Sequence, residues 1–347
     1  MRVAFVIDSL VGGGAERATV NLANGLAQNG YAEITIFTLK EHTDEYCLNS
    51  NIVRNNCLTG SFITDIRIMK AELKKNNIDV AIGMSIYANF CLCAANFFLD
   101  TKVIISERNA PKYDHISWKS KLLRWILYRN ADQYVFQTQE ARDFYSKSIQ
   151  KRSVVIHNPV RTDIPYKSSA GKKEIVAVGR LVQQKNYPLL LEAFAEVHKH
   201  YPEYILRIFG QGKEQTALEA LCEKLNVQNS VVFEGFCLDV HEQIKDASFF
   251  VMSSDFEGMP NSLMEAMAMG FPVVCTDCPA GGPRELIEHM KNGVLVPVGD
   301  VKKLCQILFM LIENNDLCNT IANEAKNIRE THSIALILRK WIKIIEA

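Results

Sequence analysis

Residues 256–274, FEGMPNSLMEAMAMGFPVV, decide how this chain reads. Glu257 and Glu265 stand in this stretch with seven residues between them. Before it runs the apolar segment Ala247–Met252, which reads as a strand, and after Phe271 and Pro272 comes a second apolar run, residues 273–275. Glu257 therefore falls at the carboxyl end of a parallel strand, and Glu265 in the first turns of the next helix. Ligands of open α/β sheets bind at that position. The amides of Asn261, Ser262 and Leu263 would point from the helix N-terminus toward a bound anion. Two carboxylates beside such amides suit a ligand with several hydroxyls and a phosphate. A solvated loop residue and a helix-favouring glutamate account for either acid alone. The pair, with Gly258, Pro260 and Asn261 between strand and helix, favours the binding reading.

Outward from this stretch the chain alternates strand-like and helix-like segments. Residues 3–7, 34–39, 80–84, 102–106, 133–137 and 154–157 read as strands, with a Gly-rich turn and a helix to about residue 28 after the first. Residues 158–173 break the pattern with turn residues, from Asn158-Pro159 through Ile164-Pro165 to Ser168, Ser169, Ala170 and Gly171. The alternation then restarts, with strands at 175–178, 204–209, 230–233 and 247–252 and helices at 187–200, 213–225 and 240–245. Helices at 301–313, 317–330 and 333–345 close the chain. The expectation is two doubly wound, Rossmann-like α/β domains facing a cleft: residues 1–160, and residues 161–332.

Bulk properties exclude several classes. The 347 residues suit about two domains. Lys plus Arg and Asp plus Glu both number 39, which argues against a general nucleic-acid binder. No apolar run approaches the ~18 residues of a membrane span. The opening MRVAFVIDSL reads as a buried first strand and not as a secretory signal, because Asp8 breaks it. The ten cysteines are scattered, as expected of a reducing cytoplasm. Cys275 and Cys278 have the spacing of a redox or metal pair but no second pair at zinc spacing, so they read as small hydrophobes.

Two further segments carry phosphate-binding chemistry. Gly12, Gly13 and Gly14 lie between the first strand and the first helix, where the backbone can approach a ligand and the helix dipole favours an anion. A dinucleotide fingerprint would need glycine at position 17, where Arg17 stands, and an acid near the second strand, which ends in Lys40. A plain tight turn remains the competing reading of this segment. Gly179 and Arg180 close the first strand of the second half, and Lys185 follows. Two cations on one strand-end loop can neutralise a diphosphate, Arg as a planar fork and Lys as a point charge.

In order along the chain stand GGAER at 13–17, GRL at 179–181 with Lys185, Gly210-x-Gly212, and the Glu257/Glu265 pair. Together they resemble the GT-B glycosyltransferases of the family-four type, the retaining, nucleotide-sugar-dependent enzymes of bacterial capsule, O-antigen and lipid-linked glycan assembly. The resemblance implies that Arg180 and Lys185 hold the donor diphosphate and stabilise charge on the leaving group. It implies that Glu265 binds the ribose hydroxyls and that Glu257 lies beside the donor sugar. The amides of Asn261, Ser262 and Leu263 would take a phosphate, Gly12, Gly13 and Gly14 would approach the donor from the other domain, and Gly210, Gly235 and Phe236 would border the base. It further implies that no cofactor and no divalent metal is needed at the diphosphate, and that a final helix, residues 333–347, packs back on the first domain. Where many relatives carry a histidine, this chain has Arg108, in IISERNAP at 104–111; Glu107, Arg108 and Asn109 are expected to shape an acceptor site, with His115 in a nearby loop.

Between Lys112 and Arg129 stand five basic residues, Lys112, Lys119, Lys121, Arg124 and Arg129, against one acid, Asp114. Trp118, Leu122, Trp125 and Ile126 share one side at helical spacing. Two readings stay open: a basic amphipathic helix on a membrane surface, or a core-facing helix with solvated cations. The first would make this a cytoplasmic protein, peripheral on the inner face of the cytoplasmic membrane. The expected activity is transfer of a hexose or N-acetylhexosamine from a UDP-linked donor to a lipid-linked saccharide acceptor. A sugar-nucleotide epimerase of the same architecture and a catalytically silent glycosyltransferase subunit are the alternatives.

Overall fold

The computed structural model describes residues 1–39, 42, 45–97, 99–113, 117–168 and 171–347. Lys40, Asp114, His115, Ser169 and Ala170, named above, lie outside these residues. The chain forms two compact units, Met1–Pro159 with Ile334–Ala347, and Val160–Ser333.

Among the described residues the first unit holds a seven-stranded parallel sheet of β1 (Arg2–Val6), β2 (Glu33–Phe37), β3 (Val53–Asn55), β4 (Val80–Gly83), β5 (Lys102–Glu107), β6 (Gln133–Phe136) and β7 (Ser153–Val155). Their order is β3-β2-β1-β4-β5-β6-β7. Between them run α1 (Gly14–Gln28), α2 (Phe62–Lys75), α3 (Ile86–Ala95), α4 (Trp118–Leu127), α5 (Gln139–Asp143) and α6 (Lys147–Gln150). Among the described residues the second unit carries a six-stranded parallel sheet of β8 (Lys172–Val178), β9 (Ile205–Phe209), β10 (Val231–Gly235), β11 (Ala247–Met252), β12 (Val273–Thr276) and β13 (Val294–Val296). Their order is β10-β9-β8-β11-β12-β13. Its helices are α7 (Tyr187–His200), α8 (Gln215–Lys224), α9 (Val240–Ile244), α10 (Asn261–Met269), α11 (Gly282–Leu286), α12 (Val301–Glu313), α13 (Asn315–Ala325) and α14 (Ile328–Thr331).

Both sheets are the doubly wound type. Their central strands are apolar throughout, since crossover helices cover both faces: VAFV of β1, VAIG of β4 and FFVM of β11 are fully buried. In each sheet the strand order reverses beside the first strand, between β1 and β4 and between β8 and β11.

Some elements differ from the pattern reading. The helix expected over residues 317–330 is two helices, α13 and α14, joined through Lys326 and Asn327. The short strands β3 and β13 and the helix α3 carry too little periodicity to stand out; α2 does carry a helical period, in Phe62, Ile66, Met69 and Leu73, and is absent from the pattern reading. The apolar α3, IYANFCLCAA, is buried on most sides.

The last helix, α15 (Ile334–Glu346), belongs to the first unit. Ile337, Leu338, Trp341, Ile344 and Ile345 form its buried stripe, spaced as an amphipathic helix requires. It meets α1 at Gly25, where a Cβ would stand 2.5 Å from Leu338 Cδ1, so glycine permits the close crossing. Trp341 is 1% exposed. Trp341→Ala is expected to lower stability by about 3–5 kcal/mol, as truncation of a buried Trp does, whereas Trp118→Ala, at a 70% exposed position, changes it by less than about 0.5 kcal/mol. Urea unfolding of the two variants side by side checks the difference.

Candidate functional site

The second unit gathers most of the expected site at its strand-order reversal. β8 ends at Val178 and β11 at Met252, on adjacent strands, and the loops that follow are tied together by hydrogen bonds. Asp255 N–H donates to Gln184 O at 2.8 Å, and Gln184 Nε2 donates to Phe256 O at 2.8 Å. Asn186 adopts the left-handed conformation, φ 43°, which Asn tolerates better than most side chains. There it caps α7, accepting from Leu189 N–H, and donates to Asp255 Oδ1 at 2.6 Å. Ser253 Oγ donates to Lys185 O at 2.9 Å.

At the centre Lys185 Nζ donates to Glu257 Oε1 at 2.6 Å, with side chains 14% and 10% exposed. Ser254 Oγ donates to the same oxygen at 2.8 Å, and the Glu257 amide donates to Pro279 O at 2.6 Å. Two residues assigned separately in sequence, a diphosphate cation and a sugar-side carboxylate, are thus one ion pair. Arg180 is exposed, and its side chain makes no hydrogen bond or ion pair among the described residues.

Glycines set how closely the backbone packs here. A Cβ on Gly282 would stand 1.6 Å from Gly258 O, and one on Gly212 would stand 2.1 Å from Leu181 O. Gly210, at φ 138°, donates its N–H to Gly235 O at 2.7 Å, which joins the turns after β9 and β10. Phe236 beyond Gly235 is exposed.

α10 begins after Pro260 without a side-chain cap, and its first intrahelical bond runs from Met264 N–H to Pro260 O. The amides of Asn261, Ser262 and Leu263 precede that bond and form the polar end of the helix. Leu263 is buried and anchors the turn in the core. Glu265 lies one turn on, 7% exposed, and its Oε2 is 3.1 Å from His241 Nε2. His241 did not stand out in the sequence, because no motif links it to a glutamate 24 residues away.

In the first unit Gly12, at φ 66°, has no atom within 4 Å of its Cβ position, and Gly13 precedes α1 without a side-chain cap. Asp8 lies two residues past β1, and Ser85 Oγ, after β4, donates to its Oδ1 at 2.7 Å. Burial raises the Asp8 carboxyl above the usual range, the serine bond opposing it. This acid at the β1–β4 reversal was also missed. Glu107, expected to shape an acceptor site, is instead a core residue, 2% exposed, that accepts from Tyr145 OH at 2.7 Å. Arg108 donates to Asn158 Oδ1 at 2.7 Å and lies 5.7 Å over the Trp341 ring; burial pushes its guanidinium down to about 9. Cys275 and Cys278 are buried free thiols, the latter pushed up to about 12 by burial. Among the described residues no cluster of three His, Cys, Asp or Glu is placed to hold a metal.

Residues 12–164 match the model of Glycosyltransferase Family 4, and residues 161–328 match that of Glycosyl transferases group 1. The chain belongs to the GT-B glycosyltransferases of the family-four type. This glycosyltransferase is 27% identical to a Haemophilus influenzae protein named as an uncharacterized glycosyltransferase, over 98% of each chain. It is 28% identical, over 99% of its own length and 98% of the other, to the Campylobacter jejuni GalNAc-alpha-(1->4)-GalNAc-alpha-(1->3)-diNAcBac-PP-undecaprenol alpha-1,4-N-acetyl-D-galactosaminyltransferase. Its fold matches that of Anabaena HepE, crystallised with UDP, at a TM-score of 0.85 over 100% of both chains and 19% identity. A second HepE crystal structure, with UDP-glucose, matches at 0.86 over 100% and 99% of the two chains, at 18% identity.

Breaking the Lys185–Glu257 pair from one side leaves an uncompensated, largely buried charge. Lys185→Ala is expected to lower stability by about 3 kcal/mol, the low end for such pairs because both side chains keep some solvent contact. Lys185→Ala/Glu257→Gln should recover about half of that loss in urea unfolding; a double variant no more stable than Lys185→Ala would show that the pair does not support the loops.

Proposed function

We propose that this glycosyltransferase transfers a hexose or N-acetylhexosamine, with retention of configuration, from a UDP-linked donor to a lipid-linked glycan. The observation that carries the reading is the gathering of Lys185, Glu257, the α10 N-terminus and Glu265 at one strand-order reversal, with Arg180 exposed on the adjoining loop. An ammonium has three donors. With one on Glu257, Lys185 can still meet a phosphate. Arg180 and the amides of Asn261, Ser262 and Leu263 would add positive potential for the rest of the diphosphate. As the sugar–phosphate bond breaks, negative charge grows on the leaving diphosphate, and these fixed donors stabilise it. That supply of positive charge makes a divalent metal unnecessary in this reading.

Glu257, held by Lys185 and Ser254, would accept from donor-sugar hydroxyls, and Glu265 from the ribose. Gly210, Gly235 and Phe236 would border the base. UDP is supported by the neighbour crystallised with it, and a lipid-linked acceptor by the Campylobacter relative's name.

Helix α4 supports action at the cytoplasmic membrane face. Among the described residues no helix is long and apolar enough to cross a membrane. α4 nevertheless turns its apolar side outward: Trp118 and Trp125 are 70% and 60% exposed, and Leu122 and Ile126 are also exposed. The buried residues are Arg124 and Leu127, which favours the membrane reading over the core-facing one. Arg129 stacks 3.8 Å over the Trp125 ring, and Lys119 lies 5.8 Å from that of Trp118. An aromatic surface flanked by cations fits the interface of an anionic bilayer.

UDP at 100 times its dissociation constant should raise stability by about 2.7 kcal/mol, GDP and ADP at the same concentration by less, and Arg180→Ala and Glu265→Ala should each abolish most of the shift. Thermal denaturation reads this directly, and no shift with any nucleoside diphosphate overturns the donor reading. For the membrane, Trp118→Ser/Trp125→Ser is expected to remain in the supernatant when spun with phosphatidylglycerol vesicles that sediment the parent protein. Equal sedimentation of both would remove the membrane assignment.

A further inference from the structure

His241 belongs to the short helix α9, on the segment that leaves the Gly235–Phe236 turn, and α9 packs where α10 carries Glu265. Imidazole and carboxylate are 8% and 7% exposed. A carboxylate only accepts, so the imidazole donates from Nε2 to Glu265 Oε2 across 3.1 Å. Asp163 lies within electrostatic reach of His241: its carboxyl is held low mainly by the hydrogen bond from Arg161, with His241 as a smaller contribution.

We propose that His241 is a positioning residue that orients Glu265 for the ribose hydroxyls of the donor nucleotide. The proposal rests on the donor-site reading above. A glutamate side chain loses about 1.5–2 kcal/mol of rotamer freedom when it is ordered. A protein donor that orders it in advance removes that loss from the binding step. A carboxylate has about four lone-pair sites, so a few protein bonds leave capacity for ligand hydroxyls. The Nε2–H tautomer and the imidazolium both donate from this atom, so the contact holds in either charge state. A histidine that merely filled the core would orient nothing, and an apolar ring of similar size would replace it without effect on the ligand.

The test compares UDP with 2′,3′-dideoxy-UDP, which lacks both ribose hydroxyls, by calorimetric titration of the full chain. The parent protein is expected to prefer UDP by roughly tenfold or more, the size that hydrogen bonds to a charged group give. His241→Phe should bring the two affinities within about twofold by weakening UDP alone. His241→Gln, whose amide reaches as far as Nε2, should keep most of the preference, and His241→Asn, too short to reach, should lose it. If His241→Phe does not fold, the Gln and Asn variants decide by themselves. A parent protein that binds both ligands equally overturns the ribose role of Glu265, and the proposal with it. A parent that discriminates while His241→Phe and His241→Asn discriminate equally well overturns the role of His241 and leaves the donor site standing.

Discussion

In the second unit β9 leaves β8 on one side and β11 flanks it on the other, so the crossovers depart in opposite directions and leave the two strand ends without a connection over them. Polar backbone at such a place must find partners or meet solvent. Here the β8 and β11 loops find them in each other, through Gln184, Asn186, Asp255 and Ser253. The Lys185–Glu257 pair closes this lattice. Because both charges are largely withdrawn from water, neither is tolerable alone. Ser254 adds a further donor to Glu257, and the Gly258 carbonyl lies against Gly282, where no side chain fits. The loops at this reversal are thus held in part by one charge pair whose two members must stay matched.

The first unit repeats the geometry with different chemistry. Its reversal lies between β1 and β4, and the groups there are Asp8, bonded to Ser85, and the open Gly12 turn. A desolvated acid beside a glycine turn presents less positive charge than the β8–β11 reversal, which is why the donor diphosphate is proposed for the second unit. Arg108 is fastened by Asn158 and by the face of Trp341, so the C-terminal helix contributes to the carboxyl edge of this sheet as well as to its core.

Helix α4 shows how an amphipathic pattern can be read inside out. Trp118, Leu122, Trp125 and Ile126 face solvent, while Arg124 is buried, donating to Pro111 O at 3.2 Å and lying 5.4 Å over the Phe144 ring. A guanidinium can be buried in this way because its planar, weakly hydrated group stacks on aromatic rings and its fork still reaches a carbonyl.

Strand–helix alternation, the break near residue 160, and the pairing of Glu257 with Glu265 are legible in the chain because each depends on local period and spacing. Ala247–Met252 and Tyr187–His200 appear in the structure with the bounds their apolar runs suggest. Short elements such as β3 and β13 are not legible, because three residues carry no period. Residue type and order along the chain determined which groups would collect at the carboxyl ends of the strands. Only the tertiary structure decided which of them touch: Lys185 with Glu257, His241 with Glu265, and Glu107 withdrawn to Tyr145 in the core. The physical reason is that such contacts join side chains 24 to 72 residues apart, across neighbouring elements, at separations that sequence spacing does not encode.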